Sequence, residues 1–358
     1  MICKDNFSLE HIKALEKETG SQLAIIERTM FAFGLLEAIS QTGLQFIFKG
    51  GSCLMLLLNE PKRFSTDIDI IVPPGTDIND YINKAGHIFP FFHQEEQLRH
   101  KQNNIEKRHF KFLYISPITD SPVTVLLDVL FEENHYSSTT NKNLGNKLLL
   151  TEGSNVEVTI PGINCILGDK LTAFAPHTTG IKIDAEKELE IIKQMFDCAT
   201  LLRGITDFEE VKSTYNEIVK IELAYRDLHI SSEEVLLDTI RSAAVIVGQG
   251  SLIKSEDFKV YSKGINGITS HLVSKKYGMT MAGFDAAQVM YLAANVLNDS
   301  KDFKLIEDVQ KYNTERIQNK DFSSLNPLRK ISLESYAYLC ECVNSLNFEF
   351  HWEFTKKA

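Results

Sequence analysis

The sequence predicts an α+β protein: a head of mixed strands and helices followed by an α-helical tail. Three observations predict it. Short β-branched and apolar runs bounded by Gly and Pro recur before residue 166 and are nearly absent after it. Apolar residues at helical spacing dominate the remainder. The chain has 358 residues, 43% apolar and 24% charged. That is enough for two domains that bury their cores without disulfides or metals.

The elements follow in order. Residues 8–42 read as helical: Ser8 and Glu10 give a start, and Ile12, Leu15, Leu23, Ile26, Met30, Phe33 and Ile39 recur at helical spacing. The apolar run 44–48 reads as a strand. It ends at Lys49-Gly50-Gly51-Ser52, and a helix at 53–58 follows. The glycines allow the tight turn and Ser52 can cap the helix. Pro61-Lys62-Arg63-Phe64-Ser65-Thr66 breaks that helix. Asp67-Ile68-Asp69-Ile70-Ile71-Val72, stopped by Pro73-Pro74-Gly75, reads as a strand. Residues 78–100 read as a helix, or a helix and a loop. Residues 110–115 and 123–131 read as two strands joined by a connection of hairpin length. Residues 142–162 are mixed, with room for one more strand. Helices are expected at 168–175, 185–203, 206–227, 232–248, 283–298 and 331–346. The boundary falls near residue 160, by Pro161-Gly162. This gives a mixed head at 1–160 and a helical domain at 161–358.

Composition excludes some functions. The formal charge is 38 − 48 = −10, which argues against a generally basic nucleic-acid binder but allows a local basic patch. Cys3, Cys53, Cys165, Cys198, Cys340 and Cys342 form no C-x-x-C pair and no zinc-type spacing. They read as reduced thiols of a cytoplasmic protein. The N-terminus lacks the apolar core of a signal peptide, and no apolar run approaches a membrane span. No membrane partner is expected.

Residues 49–72 carry the chemistry. Alternate residues of a strand share a face, so Asp67 and Asp69 point the same way, about 7 Å apart. Two such carboxylates repel each other and call for a cation; oxygen ligands suit Mg²⁺ or Mn²⁺. The Gly50-Gly51-Ser52 turn between a strand and a helix suits phosphate. Asp128 stands inside the apolar string 123–131 and needs a partner there. A neighbouring strand could bring it to Asp67 and Asp69; pairing with a Lys or Arg is the simpler alternative. Lys62 and Arg63, just ahead of Asp67, suit phosphate or the carboxylates themselves.

This order of strand, Gly-Ser turn, helix, D-x-D strand and later single-Asp strand resembles the polymerase-β-like nucleotidyltransferase superfamily. Phe48-Lys49-Gly50-Gly51-Ser52 with Arg63-Phe64-Ser65-Thr66-Asp67-Ile68-Asp69 looks more closely like the AbiEii/AbiGii toxin family. Lys170-Leu171-Thr172-Ala173 matches that family's Lys-Leu-x-Ala motif. In the next motif Asp197 stands at the second acid, while Lys193 and Gln194 replace the family's Arg and first acid. The matching motifs span roughly residues 45–203, and nothing beyond 205 matches one.

The resemblance implies a polymerase-β-like head with a mixed sheet and transfer of a nucleoside monophosphate from an NTP to an acceptor, releasing pyrophosphate. It implies Mg²⁺ or Mn²⁺ on Asp67, Asp69 and Asp128. Gly50, Gly51, Ser52 and Arg63 would lie on the phosphates, Lys170 would reach the triphosphate, and Asp197 would orient that lysine or the nucleotide. RNA, such as a tRNA 3′ end, is the implied acceptor, and a cognate antitoxin the implied partner. The role would be a toxin of a toxin–antitoxin or abortive-infection phage-defence system. The basic stretch that includes Arg99, His100, Lys101, Lys107, Arg108, His109 and Lys111 suits an RNA-facing edge, and equally a lysine-protected strand edge. Two other readings stay open: an antibiotic-type small-molecule nucleotidyltransferase, and a non-catalytic NTP- or RNA-binding module.

Overall fold

The computed structural model describes residues 1–97, 106–154, 156–273 and 276–346. The chain divides into two compact units. One comprises Met1–Gly162 and Thr269–Lys276; the other comprises Ile163–Ile268 and Tyr277–Ala358. The sequence pattern puts everything after residue 160 in the helical part, so the return of 269–276 to the first unit is a correction. Its cause is backbone pairing. The Phe64 N–H donates to the His271 carbonyl at 2.7 Å, and the Val273 N–H to the Lys62 carbonyl at 3.0 Å. Arg63 and Leu272 form an antiparallel bridge.

In the first unit the expected helical stretch 8–42 is two helices, α1 (Leu9–Thr19) and α2 (Leu23–Gln41). Ser8 caps α1 by accepting from the His11 N–H at 3.2 Å. Gly20 ends it in the left-handed region at φ 75°. Helix α2 is apolar on nearly every side, and Ile26, Met30, Phe33, Leu35 and Leu36 are wholly buried. It packs on the sheet, which removes those side chains from water.

Strand β1 (Ile47–Lys49) runs directly into α3 (Gly50–Leu57). That helix starts before Ser52, so the serine lies in its first turn and does not cap it. Then come β2 (Asp67–Val72), α4 (Asn79–Ala85), β3 (His93–Glu96), β4 (Lys107–Ile115), β5 (Pro122–Phe131), β6 (Thr139–Asn143) and β7 (Glu157–Pro161). Strand β2 has the predicted bounds. Strand β3 lies where the sequence suggests helix or loop. Its residues, His-Gln-Glu-Glu, carry no apolar alternation, because it is an edge strand with little to bury.

The sheet is mixed, in the order β3-β4-β5-β2-β1-β7-β6. Strands β2 and β5 are parallel, as are β1 and β7; the other neighbours are antiparallel. Alternation defines its faces. Ile68, Ile70, Val72, Val125, Leu127, Val129, Phe110, Phe112 and Phe48 are buried to 3% exposure or less. Asp67, Asp69, Asp128 and His109 occupy the alternate positions, on the opposite face.

The second unit contains α5 (Ile163–Ala173), α6 (Glu188–Leu202), α7 (Phe208–Tyr225), α8 (Ser232–Val247), α9 (Asp257–Ile268), α10 (Met279–Leu297), α11 (Leu328–Ile331) and α12 (Leu333–Ser345). Helix α9 has no counterpart among the helices expected from the sequence. Its apolar stripe of Tyr261, Ile265 and Ile268 is interrupted by Gly264 and Gly267. The six cysteines are free, and all but Cys3 are buried. Among the described residues no helix is long and apolar enough to cross a membrane.

Candidate active site

Strand register builds the site in the first unit. Asp69 pairs with Asp128 across the parallel β2–β5 ladder. Lys49 stands opposite Asp69 on β1, and His109 opposite Asp128 on β4. Directly paired residues share a face. One row therefore crosses four adjacent strands: Lys49, Asp69, Asp128, His109. Neighbouring strands lie about 4.8 Å apart, which sets the spacing of this row. Asp67 lies two residues along β2, on the same face and exposed.

The turn at the end of β1 shapes itself around these groups. Gly50 has φ +78°, where an L side chain is strained. A Cβ there would overlap the Asp69 carboxylate, lying 2.8 Å from its Cγ. A Cβ on Gly51 would lie 2.8 Å from Ser65 Oγ and 3.2 Å from Arg63 Nη1. The two glycines thus seat the Asp69 carboxylate and the Arg63 guanidinium against the start of α3. Arg63 is only 6% exposed, and its Nη1 donates to the Phe64 carbonyl at 3.2 Å. Ser52 is wholly buried and its hydroxyl donates to the Asp67 carbonyl at 2.5 Å. That bond ties α3 to the start of β2; its hydroxyl serves the fold.

His109, placed by the sequence only in the basic stretch, is the residue whose part in the carboxylate row sequence reasoning missed. Its Nδ1 lies 2.6 Å from Asp128 Oδ1, with the His side chain 16% and the Asp side chain 35% exposed. Asp128 thus has a partner, as an acid in an apolar strand requires, and the partner is an imidazole. The available signal was an alternating strand at 107–115 facing 123–131 across a short hairpin, which sets the register. Lys49 reads in the sequence only as part of the turn; its Nζ lies 5.7 Å from the Tyr136 ring centroid.

The donor set fits Mg²⁺ or Mn²⁺ in chemistry. Asp67, Asp69 and Asp128 offer only carboxylate oxygen, which hard divalent ions take. Gly50 leaves the space that the Asp69 carboxylate fills. Among the described residues no three His, Cys, Asp or Glu side chains are already gathered as a metal cluster.

Among the described residues of the basic stretch, Arg108 and Lys111 are answered by acids of the neighbouring strand. Arg108 donates to both carboxylate oxygens of Glu96, at 2.8 and 2.7 Å, and to Asn79 at 3.0 Å. The hydrogen bond from Arg108 holds the Glu96 carboxyl below the usual range. Lys111 lies 3.5 Å from Glu95. Strand β3 therefore supplies the counter-charge to β4; because β4 is paired on both sides, Arg108 and Lys111 do not guard an open strand edge. Arg99, His100 and Lys101 lie outside the described residues. So do Phe348, Phe350, Trp352 and Phe354, whose aromatic character in the sequence suits docking onto the fold or facing a partner.

In the helical unit, Lys170 on α5 meets α6. Its Nζ lies 3.0 Å from Asp197 Oδ2 and donates to Gln194 Oε1 at 2.9 Å. Both charged side chains are nearly buried, at 11% and 3% exposure. Burying one charge here requires the other. Lys193 and Asp197, four residues apart, could have formed a surface pair. Instead Lys193 turns back to Glu190 at 2.8 Å. The substituted Gln194 supplies an acceptor to the motif lysine. His177 follows the lysine motif, and its Nε2 lies 2.9 Å from Asp257 Oδ2. Its backbone N–H donates to Asp238 at 2.9 Å. Burial opposes charging of His177, but the Asp257 hydrogen bond and the Asp238 charge outweigh it and raise its pKa. His177, Arg241, Lys254 and Asp257 line a cavity of about 480 Å³ in this unit.

A family profile described as "Nucleotidyl transferase AbiEii toxin, Type IV TA system" matches residues 34–259. The chain belongs to the AbiEii nucleotidyl transferase toxin family. It is a nucleotidyltransferase of a toxin–antitoxin family. The AbiEii match takes in the glycine turn, all three aspartates, Lys170 and Asp197. No curated protein matches the chain. Among the solved structures similar to it are two from Helicobacter pylori. JHP933 from Helicobacter pylori is 14% identical, with a TM-score of 0.42, covering 76% of this chain and 93% of that one. A second H. pylori chain, described as a candidate nucleotidyltransferase, is also 14% identical, with a TM-score of 0.43, covering 77% and 99%.

Proposed function

We propose that this chain is a metal-dependent toxin that moves a nucleoside monophosphate from an NTP to a hydroxyl of an RNA acceptor, restrained by a cognate antitoxin. The observation that carries the chemistry is the register that sets Asp69 beside Asp128, with Asp67 on the same face. Asp67, Asp69 and Asp128 are the residues that would hold Mg²⁺ or Mn²⁺, which when bound neutralises phosphate charge and favours the deprotonated nucleophile. The acceptor oxygen bonds to the α-phosphorus, the α–β phosphoanhydride bond breaks, and pyrophosphate leaves. Asp128 accepts the proton of the attacking hydroxyl. The backbone N–H groups of Gly50 and Gly51, at the positive end of α3, suit the phosphates. Arg63 adds charge at the same turn. Within the helical unit, the 3.0 Å pair supports Asp197 as the group that orients Lys170.

The acceptor class and the antitoxin rest on family membership. A role in phage defence belongs to the same proposal. The test is transfer of label from each α-labelled NTP, with Mg²⁺ and total cellular RNA, by the wild type and by Asp67→Ala/Asp69→Ala. Label on RNA that disappears in the double variant is the expected result. Label on protein would move the acceptor to a protein hydroxyl, and label on an aminoglycoside would favour the small-molecule reading. Metal-independent NTP binding with no pyrophosphate released would favour a non-catalytic module. Expression of the wild type should arrest growth, and Asp69→Ala should relieve the arrest.

A further inference from the structure

We propose that His109 is a positioning residue for Asp128: its ring N–H ties one carboxylate oxygen and presents the other to the bound ion. This role rests on the reading of the carboxylate row given above. Asp69 and Asp128 are adjacent across a parallel ladder, so two mutually repelling anions stand one strand spacing apart. Asp128 is 35% exposed at its side chain, which leaves it room to swing away from Asp69. A metal site needs the opposite, with both carboxylates held on the same side before the ion arrives. His109 sits directly across the β4–β5 ladder from Asp128, and its Nδ1 lies 2.6 Å from Oδ1. An ionised carboxylate only accepts, so Nδ1 carries the proton. The imidazole is itself held in place. Its side chain is 16% exposed, and its backbone carbonyl accepts the Gln97 N–H at 2.7 Å. With Oδ1 occupied, Oδ2 is the oxygen left for a ligand. Groups that orient metal ligands in this way typically change metal affinity or activity by about 10–100-fold when removed.

The test uses the full chain and Mn²⁺ as the probe, with free Mn²⁺ read by electron paramagnetic resonance. His109→Leu removes the donor, while His109→Asn places an amide N–H near the position of Nδ1. Asp128→Asn and the Asp128→Asn/His109→Leu double variant complete a cycle. We expect His109→Leu to weaken Mn²⁺ binding by about 10–100-fold and to lower kcat far more than it raises KM for the NTP. His109→Asn should recover most of both. In the Asp128→Asn background, His109→Leu should add little, because the histidine acts through that carboxylate. Wild-type Mn²⁺ affinity and kcat in His109→Leu would overturn the proposal. So would an undiminished effect of His109→Leu when Asp128 is already Asn, or a His109→Asn variant as impaired as the leucine. If Asp128→Asn itself leaves Mn²⁺ binding unchanged, the carboxylate reading fails, and the role of His109 fails with it.

Discussion

Replacing Gly50 with alanine separates backbone strain from damage to the site. Gly50 has φ +78°, and a left-handed conformation costs an alanine about 1–2 kcal/mol. A second effect is specific to this position. The new Cβ would lie 2.8 Å from Asp69 Cγ and closer still to Oδ2. Carbon atoms rest about 3.5–4.0 Å apart, so the carboxylate must retreat by roughly 1 Å. A displacement of that size in a reacting constellation costs about 10²-fold in rate. Gly43 is the control: its φ is +86° and nothing lies within 4 Å of its would-be Cβ. Gly43→Ala should lose the same ~1–2 kcal/mol in urea unfolding and keep its transfer rate. Gly50→Ala should lose similar stability and about 10²-fold in kcat, with weakened Mn²⁺ binding. The assay pair is urea denaturation and label transfer on both variants. Wild-type kcat in Gly50→Ala would refute the claim that this glycine exists to seat Asp69, as would an equal rate loss in Gly43→Ala.

Two further outcomes follow from the helical unit. Asp197→Ala leaves Lys170 buried without its 3.0 Å partner and should destabilise the protein by about 3–5 kcal/mol; Lys170→Met/Asp197→Leu should recover much of that. A loss under about 1 kcal/mol in urea unfolding would show that Lys170 has found another partner. Burial pushes the Asp238 carboxyl up to about 6, against His177, Thr178 and Ser242, which stabilise its charged form. The native state therefore binds this proton more tightly than the unfolded chain. The protonated group imposes no penalty below the unfolded value of 3.8, and stability falls as pH rises through about 6. Between about pH 4 and pH 7 the stability of Asp238→Asn relative to wild type should rise by about 2 kcal/mol, most of the ~3 kcal/mol equivalent of the full rise in pKa. A pH-independent difference in denaturation would contradict this.

The parts of the fold with strong local signals are legible in the sequence alone. Strand β2 combines β-branched residues with a double proline stop, and its bounds match residue for residue. The hairpin of β4 and β5 carries alternation on both sides of a short connection. Elements that bury little leave no such signal. Strand β3 is polar and lies at the sheet edge, and β6 reads Thr-Thr-Asn-Lys-Asn. Their pairing comes from neighbouring strands, not from their own hydrophobicity. The span 8–42 reads as helical without a marked break because both halves are amphipathic or apolar, yet Gly20 ends the first helix. At the site, period alone places Asp67 and Asp69 on one face. The pairing of Asp128 with Asp69 needs the order of strands, since β5 joins β2 across a connection that local pattern does not specify. His109 needs one step more, the register of β4 on β5. The Lys170–Asp197 pair is legible only as two motif positions; that they meet depends on how α5 packs on α6.

The central claim is that the carboxylate row performs nucleotidyl transfer. Pyrophosphate release from each of the four NTPs, with Mg²⁺ and RNA present, tests it most directly when wild type and Asp69→Asn are run side by side. Asparagine keeps the shape of the side chain beside Gly50 and removes its charge. We predict pyrophosphate stoichiometric with transferred label in the wild type, and a loss of at least about 10³-fold in Asp69→Asn with an unchanged urea midpoint. Release that persists in Asp69→Asn at the wild-type rate would contradict it.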